Sequence, residues 1–113
     1  MLNQVVLVGR LTGNPEVQEL EEGKKLSQIT LKVGRSYKNA EGEYDNDFID
    51  VNLYDGIAQN TAEYCHEGDI IGVKGRLQTE VLEKEDGTKK YLTRIIAEKV
   101  TFLSSRKPEE EEC

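Results

Sequence analysis

The amino-acid sequence predicts an all-β fold: a small, partly open barrel of five strands with one short helix between the third and fourth strands. Apolar and polar residues alternate over several segments of strand length, which is typical of half-buried strands. Clusters of glycine, asparagine and proline separate these segments and indicate turns. A helical spacing of apolar residues is found only between residues 56 and 66, so we expect a single helix.

Three strands are predicted before the helix. The first covers residues 3–11 and is followed by a Gly-Asn-Pro turn, a brief strand near Val17 and a Glu-Gly-Lys hairpin. The second covers residues 26–35, and the third covers residues 48–55 after a polar loop at residues 36–47. Side chains alternate between the two faces of a strand, and one face of the second and third strands is aliphatic. That face carries Ile29, Leu31, Val33, Ile49, Val51 and Leu53, which we expect in the core.

The helix at residues 56–66 is predicted from an apolar stripe formed by Ala58, Ala62 and Cys65. Asp55 precedes the stripe and is expected to cap the helix, because a side-chain oxygen can accept a hydrogen bond from a free backbone amide there. The same residue would place negative charge at the positive end of the helix dipole.

Two strands follow the helix and complete the barrel. The fourth covers residues 70–82, where Gly72 and Gly75 predict strong curvature, and the fifth covers residues 91–103 after a charged hairpin at residues 84–90. Three strands, a helix and two strands with glycine at the bends are the arrangement of an OB-fold, a five-stranded Greek-key barrel. Because OB-folds bind nucleic acids, sugars or proteins, the function has to be argued from the site.

The length and composition predict one domain and a short tail. A chain of 113 residues holds a single core, which we place at residues 1–103, and an acidic, disordered tail follows at residues 104–113. No apolar run approaches the roughly 20 residues that a membrane helix needs, and the N-terminus lacks the pattern of a signal peptide. We therefore expect a cytoplasmic protein.

The sequence offers little for catalysis or for metal binding. His66 is the only histidine, and Cys65 and Cys113 are far apart along the chain, so neither a disulfide nor a metal site is predicted. The chain has no phosphate-binding glycine loop and no nucleophile with a suitable base. We expect a protein that is not an enzyme and uses no cofactor.

Two rings lie on the polar face of the third strand. Phe48 and Tyr54 alternate with the core residues and share their face with Asp50 and Asn52, where water is expected. One interpretation is structural, in which the rings cover cross-strand neighbours and stiffen the sheet. The other is functional, in which the rings are platforms for unpaired bases, an interaction of about 1–3 kcal/mol per base. The pattern alone allows both.

Cations interleave with rings on three segments, as a groove that follows a nucleic-acid backbone requires. The predicted phosphate contacts are Arg35, Lys38, Lys74, Arg76, Lys89, Lys90 and Arg94, and Tyr37 and Tyr91 are predicted as further stacking sites among them. A net charge of −7 opposes this interpretation, because proteins that hold nucleic acid are usually basic. Four glutamates of the tail account for part of that charge.

Several pieces of the chain resemble the bacterial single-stranded DNA-binding proteins: NQVVLVGRLTGNPE, GRSYKNAEGE, DFIDVNLYDGIAQNTAEYCHEG, and GRLQTEVLE with DGTKKYLT. The resemblance covers about residues 1–103, and it is strongest to the short paralogue that some Gram-positive bacteria use in competence and recombination. It implies an OB-fold that binds single-stranded DNA without sequence preference during replication, recombination, repair or DNA uptake. It also implies a homo-oligomer, usually a homotetramer, with a homodimer as the smaller alternative.

By position, the base-stacking places of the family fall on Tyr37, Phe48, Tyr54 and Leu82. Family members usually have tryptophan at some of these places, and this chain has none, so the resemblance implies weaker binding than is usual in the family. Members that recruit replication proteins end in an apolar tip, whereas this chain ends in EEEEC, which argues against recruitment through the tail. The alternative function is an interaction scaffold with the same fold and weakened DNA binding, which the net charge favours.

Overall fold

The computed structural model describes residues 1–104, and within them the chain forms six strands, a short 3-10 turn and one α-helix. The elements in chain order are β1 (Val5–Leu11), β2 (Gln18–Glu19), the 3-10 turn (Glu21–Gly23), β3 (Lys25–Lys38), β4 (Tyr44–Tyr54), α1 (Asp55–Tyr64), β5 (Ile70–Glu83) and β6 (Lys89–Ser104). The five predicted strands are β1, β3, β4, β5 and β6, and the brief strand expected near Val17 is β2. The tail was predicted at residues 104–113; Ser104 is the last residue of β6, and the rest lies outside the described residues.

The five long strands close into a barrel in the order β1–β5–β6–β4–β3 and back to β1. The pairing of β4 with β6 is parallel, and the other four pairings of the ring are antiparallel. The two seams that close the ring are short, with the register pairs Arg10–Lys32 and Leu11–Leu31 for β1–β3, and Val51–Ile95 and Asn52–Ile96 for β4–β6. This topology, with α1 between β4 and β5, confirms the predicted OB-fold.

The core fills the inside of the barrel, and the predicted alternation of β3 and β4 is confirmed. Leu31, Val51 and Leu53 are fully buried, and Ile71 of β5 joins them from the facing wall. Helix α1 covers one end of the core with Ala58, which is also fully buried. Each of these aliphatic side chains stabilises the fold by roughly 1.5–3 kcal/mol when it leaves water.

Asp55 does not cap α1, so this prediction was wrong. Tyr54 occupies the N-cap position without a side-chain hydrogen bond, and Asp55 is the first helical residue, with a φ of 51°. Its Oδ1 atom accepts a hydrogen bond from the backbone amide of Lys25 at 3.1 Å. Aspartate tolerates the left-handed region better than most residues, and its carboxylate here ties the β4–α1 junction to the start of β3.

The barrel bends at Gly75, as predicted. The register of β5 and β6 shifts between Lys74 and Gly75, and Glu98 is the extra residue on β6. A Cβ atom on Gly75 would lie 2.1 Å from the carbonyl oxygen of Ile96, so only glycine fits this approach of the two backbones. At Gly72 a Cβ atom would meet nothing closer than 3.6 Å, so the close approach of two backbones requires glycine at Gly75 but not at Gly72.

Among residues 1–104, no helix is long and apolar enough to cross a membrane.

Candidate nucleic-acid interface

The outer face of β4 carries the two predicted rings outside the core. Phe48 is 65% exposed and is directly opposite Lys32 of β3. Two residues further along, Asp50 is opposite Thr30, whose Oγ1 atom donates a hydrogen bond to Asp50 Oδ1 at 2.6 Å. Tyr54 ends the strand and is 37% exposed. A ring as open as that of Phe48 covers little of its neighbours, so the structural interpretation explains Phe48 less well than it explains Tyr54.

The β3–β4 hairpin is longer than predicted, because β3 continues to Lys38 and β4 already begins at Tyr44. The sequence hides these strand ends because the half-buried positions at the start of β4 are aspartates, Asp45 and Asp47, so no apolar alternation marks them. Asn39 organises the turn: its Oδ1 atom accepts hydrogen bonds from the backbone amides of Glu41 and Glu43 at 2.8 and 3.0 Å. The loop expected at residues 36–47 is therefore mostly strand.

Two residues that the sequence interpretation did not select lie on the same face as Phe48. Tyr44 is four residues before Phe48 on β4, so alternation places both on one face, and Tyr44 is 59% exposed. Lys38 is opposite Tyr44, with its Nζ atom 5.8 Å from the ring centroid. Lys32 is the other addition. The alternation of β3 turns Lys32 away from the core, and the register places Lys32 directly opposite Phe48.

Arg35 lies on the other face of the same hairpin. Its guanidinium hydrogen-bonds Asp47 at 2.8 Å and lies 3.8 Å from the carboxylate of Asp45. Asp47 is paired with Val33, a residue of the inner face, and is next to the outward-facing Phe48. The hydrogen bond from Arg35 lowers the pKa of Asp47, and the pKa of Arg35 is raised by the same contact. Arg35 is thus occupied by acids and is not placed with the rings.

Tyr37 lies in the irregular stretch of β3 between Gly34 and Lys38, where the register with β4 is interrupted. The ring is 65% exposed, so it is open to solvent next to the turn of the hairpin. Lys38, the next residue, is back in register and faces Tyr44.

The β5–β6 hairpin divides its predicted site residues between two faces. Residues that pair across antiparallel strands share a face. One face holds the pairs Arg76–Ile96, Gln78–Arg94, Glu80–Leu92 and Leu82–Lys90. Ile96 also pairs with Asn52 of β4, so this face continues onto the outer face that carries Phe48. Leu82, Lys90, Arg94 and Arg76 therefore join the rings of β4 on one continuous surface, which we name the outer face.

Tyr91 and Lys89 lie on the opposite face of the β5–β6 hairpin. Tyr91 is paired with Val81 and Lys89 with Glu83, and these residues alternate with Leu82 and Lys90. Lys74 is also apart from the rings, since it is paired with Val6 of β1 and Lys99 of β6 on another part of the barrel wall. The structure thus brings together most of the predicted site and leaves these three residues and Arg35 elsewhere.

The arginines and the lysines of the predicted site differ in their partners. Each arginine is close to an acid: Arg35 to Asp47 at 2.8 Å, Arg76 to Glu98 at 3.7 Å and Arg94 to Glu80 at 3.0 Å, where the Arg94 Nε–H does not point at the oxygen. Within residues 1–104, no ion pair involves Lys32, Lys38, Lys74, Lys89 or Lys90. The lysines therefore carry the positive charge that is available to a ligand.

Other parts of the molecule show no competing chemistry. In the portion of the chain described, no group of three histidine, cysteine, aspartate or glutamate side chains could hold a metal ion. A cavity of about 390 Å³ between α1 and the end of β6 is lined by Ile57, Tyr64 and Phe102, among others, and by none of the predicted site residues. Cys65 is buried beside it, and burial raises the pKa of its thiol, so the thiol stays protonated at neutral pH.

Comparisons with known proteins identify the family of the chain and agree with its fold. The profile of the family described as "Single-strand binding protein family" matches residues 2–103. Single-stranded DNA-binding protein B of Bacillus subtilis is 43% identical over 106 residues, which are 94% of this chain and 94% of that protein. Single-stranded DNA-binding protein 1 of Staphylococcus aureus is 40% identical over 106 residues, 94% of this chain and 68% of that protein.

A solved structure, the Plasmodium falciparum SSB complex with single-stranded DNA, superimposes with a TM-score of 0.76 and covers 92% of this chain and 96% of that one. The sequence identity is 24%, so this likeness shows the fold alone.

Proposed function

The chain belongs to the single-strand binding protein family, and we propose that it binds single-stranded DNA with little sequence preference on the outer face. The observation that carries the proposal is Phe48, an aromatic ring that is 65% exposed and directly opposite a lysine without an ion pair in the described chain. A ring beside a free cation is what a base and its phosphate require. The protein acts by binding and is not an enzyme.

The proposed contacts divide into stacking and charge. Bases stack on Phe48 and Tyr54, and Leu82 offers apolar contact on the neighbouring hairpin, with Tyr37 as a further ring at the turn of β3–β4. Phosphates are held by the lysines of the outer face, Lys32, Lys38 and Lys90, which form no ion pair with an acid of residues 1–104. Arg76 and Arg94 can add to this only by exchanging a carboxylate for a phosphate.

The acidic charge does not prevent binding at this surface. Asp50 is the carboxylate closest to Phe48 along the outer face of β4, and it accepts a hydrogen bond from Thr30. Exposed charges are screened beyond roughly 8 Å at physiological salt, so acids elsewhere on the barrel act weakly on a bound phosphate. Glu80 is on the outer face itself, and its ion pair with Arg94 offsets its charge.

Strand β1 supports the proposal that the protein is a homo-oligomer, a homotetramer or a homodimer. Val6 and Val8 point outward and are 67% and 52% exposed. Among the described residues, β1 pairs with β3 only at Arg10 and Leu11, so one edge of its remaining length is free to pair with a copy. Equilibrium sedimentation tests this, and a monomer at micromolar concentration would contradict it.

We place this activity in the bacterial cytoplasm, in association with the nucleoid, during replication, recombination, repair or DNA uptake. The support is membership of a family whose relatives are named for binding single-stranded DNA. Recruitment of replication proteins through the tail is not part of the proposal, since the tail lies outside the described residues.

The test is a titration of intrinsic fluorescence with oligo-dT. The chain has five tyrosines and no tryptophan, so any quenching reports on tyrosine. We expect quenching at low salt that weakens steeply as salt rises, because bound phosphates release counterions with a slope of about −0.7 per phosphate for single strands. An electrophoretic shift with labelled oligo-dT at the same salt concentrations checks the result independently of the rings.

The second candidate function is an interaction scaffold with weakened DNA binding. The observation that favours it is that Arg35, Arg76 and Arg94 each lie beside an acid, on a chain of net charge −7. If oligo-dT causes no quenching and no shifted band at low salt, the result supports the scaffold and excludes the DNA-binding proposal.

A further inference from the structure

Tyr44 is an exposed ring near the turn of the β3–β4 hairpin that neither the sequence pattern nor the family resemblance selects. We propose that Tyr44 is an additional stacking platform for a base and that, with Lys38, it extends the DNA path from Phe48 toward the end of this hairpin. The inference rests on the proposed function and assigns it a residue and a direction. Three observations support the inference: the position of the ring on β4, the cation beside it, and the hydrogen bonds that hold its hairpin.

The position of Tyr44 continues the line of rings on the outer face. Tyr44, Phe48 and Tyr54 are separated by even numbers of residues on one strand, so all three face the same way. Four residues of strand place Tyr44 about 13 Å from Phe48 along β4. Between the two rings the facing pair is Asn46 and Gly34, so the small amide side chain of Asn46, whose Oδ1 atom would lie 3.6 Å from a Cβ atom on Gly34, is the one side chain of this pair on the surface. A strand of DNA that stacks on Phe48 can therefore continue along the surface of β4 to Tyr44.

Lys38 supplies the charge for this platform. Its ammonium lies over the ring at 5.8 Å from the centroid, and within residues 1–104 it forms no ion pair. A cation over one face of a ring leaves the other face for a base, and the ring is 59% exposed. A phosphate next to a stacked base would meet the same ammonium, so one residue pair offers both kinds of contact that single-stranded DNA needs.

The hairpin holds Tyr44 in place before any ligand arrives. Asn39 donates its backbone amide to the carbonyl oxygen of Glu43 at 2.7 Å, and its side chain accepts the amides of Glu41 and Glu43. These bonds fix the turn immediately before β4 begins. A ring on an ordered hairpin loses less conformational freedom on binding than a ring on a mobile loop.

The experiment compares four proteins for binding to fluorescently labelled oligo-dT, measured by anisotropy at one fixed salt concentration. Tyr44→Ala should weaken binding between about fivefold and 150-fold, the range for loss of one stacked base. Tyr44→Phe keeps the ring and should stay within about twofold of the wild-type protein. Tyr64→Ala is the control, since Tyr64 is also exposed but lies on α1, and it should bind like the wild-type protein.

Two readouts separate stacking from a structural role. The thermal unfolding midpoint of Tyr44→Ala should equal that of the wild-type protein, because an exposed ring contributes little to packing. Irradiation with oligo-dT that carries 5-iodouracil should crosslink the DNA to Tyr44 as well as to Phe48. A Tyr44→Ala variant that binds like the wild-type protein, or crosslinking at Phe48 without crosslinking at Tyr44, would overturn the inference.

Failure of the inference can be told apart from failure of the proposed function. If the wild-type protein binds and Phe48→Ala weakens binding while Tyr44→Ala does not, only the extension to Tyr44 is wrong. If the wild-type protein does not bind oligo-dT even at low salt, the proposed function fails, and the inference fails with it.

Discussion

The two long hairpins of the barrel distribute similar residues differently. In the β3–β4 hairpin, Tyr44 and Phe48 share one face with Lys32, which forms no ion pair among residues 1–104. In the β5–β6 hairpin, Tyr91 shares a face with Lys89, whereas Lys90, its neighbour in sequence, is on the outer face with Leu82. Proximity along the chain therefore predicts a composite site only when the separation is even or when the register across the strands brings the residues together.

The largest effect should come from the base of the second hairpin. Gly75→Ala forces a Cβ atom to within 2.1 Å of the Ile96 carbonyl oxygen, which requires the backbones of β5 and β6 to separate. Overpacking of this kind costs typically about 1–3 kcal/mol, and we expect a loss at the upper end of that range. Urea denaturation followed by circular dichroism measures it.

Gly72→Ala on the same strand is the matched control for Gly75→Ala. Its Cβ atom would make ordinary contacts of 3.6 Å or more, so the free energy of unfolding should change little. Equal losses for the two variants would show that glycine itself, rather than the approach of Ile96, is what β5 needs.

The comparison of rings is tested by Phe48→Ala and Tyr91→Ala. Phe48→Ala should weaken binding to oligo-dT by about 1–3 kcal/mol, because a stacked base loses its platform. Tyr91 is as exposed as Phe48 but lies on the other face, so Tyr91→Ala should leave the affinity nearly unchanged. Anisotropy titrations with labelled oligo-dT measure the affinity of both variants. A large effect of Tyr91→Ala would show that DNA contacts both faces of the second hairpin.

The difference between lysines and arginines predicts a smaller effect on the salt dependence. Lys90→Gln should reduce the slope of log K against log salt by about 0.7, since one phosphate contact is lost. Arg94→Gln removes a charge that Glu80 already balances, so the slope should stay nearly the same. Titrations at four or five salt concentrations give both slopes. Equal reductions would mean that Arg94 leaves Glu80 and contacts a phosphate.

The smallest effect concerns the ion pair between Arg35 and Asp47 on the inner face of the β3–β4 hairpin. The pKa of Asp47 is lowered by the hydrogen bond from Arg35, so this pair stabilises the folded state above the ordinary pKa of 3.8, and the stabilisation is lost as the pH falls through the lowered pKa. Both groups are exposed, so the contribution is small. An NMR titration of the Asp47 carboxyl should show its pKa return toward 3.8 in Arg35→Gln. An unchanged pKa would contradict the assigned cause.

The sequence was sufficient for the fold and for the line of rings, because both follow from a period of two along β3 and β4. The exposed face of Phe48 and Tyr54 is what alternation predicts once Ile49, Val51 and Leu53 occupy the core. The element order likewise predicted the five-stranded barrel with its single helix, although it was expected to be partly open and the five strands close into a ring. The family resemblance added the position of Leu82, which the structure places on the outer face.

Three features could not be predicted, each for a physical reason. The half-buried positions that follow Tyr44 on β4 are aspartates, so Tyr44 has no apolar alternation around it to mark a strand. The orientation of Tyr91 depends on the register with Val81, which is a long-range property. The contact of Asp55 with Lys25 joins residues 30 positions apart, whereas the predicted cap used only local geometry.

The short seam between β4 and β6 has a mechanical consequence. Only two register pairs join these strands, as at the β1–β3 seam, whereas β1 and β5 share six, so few backbone hydrogen bonds oppose a movement between β4 and β6. Phe48 is on β4 and Leu82 is on the β5–β6 hairpin, so a small movement at this seam would change the distance between these two proposed contacts. With bases bound there as proposed, an adjustable distance would accommodate purines and pyrimidines alike, which would give tolerance of sequence a source in the backbone as well as in the rings.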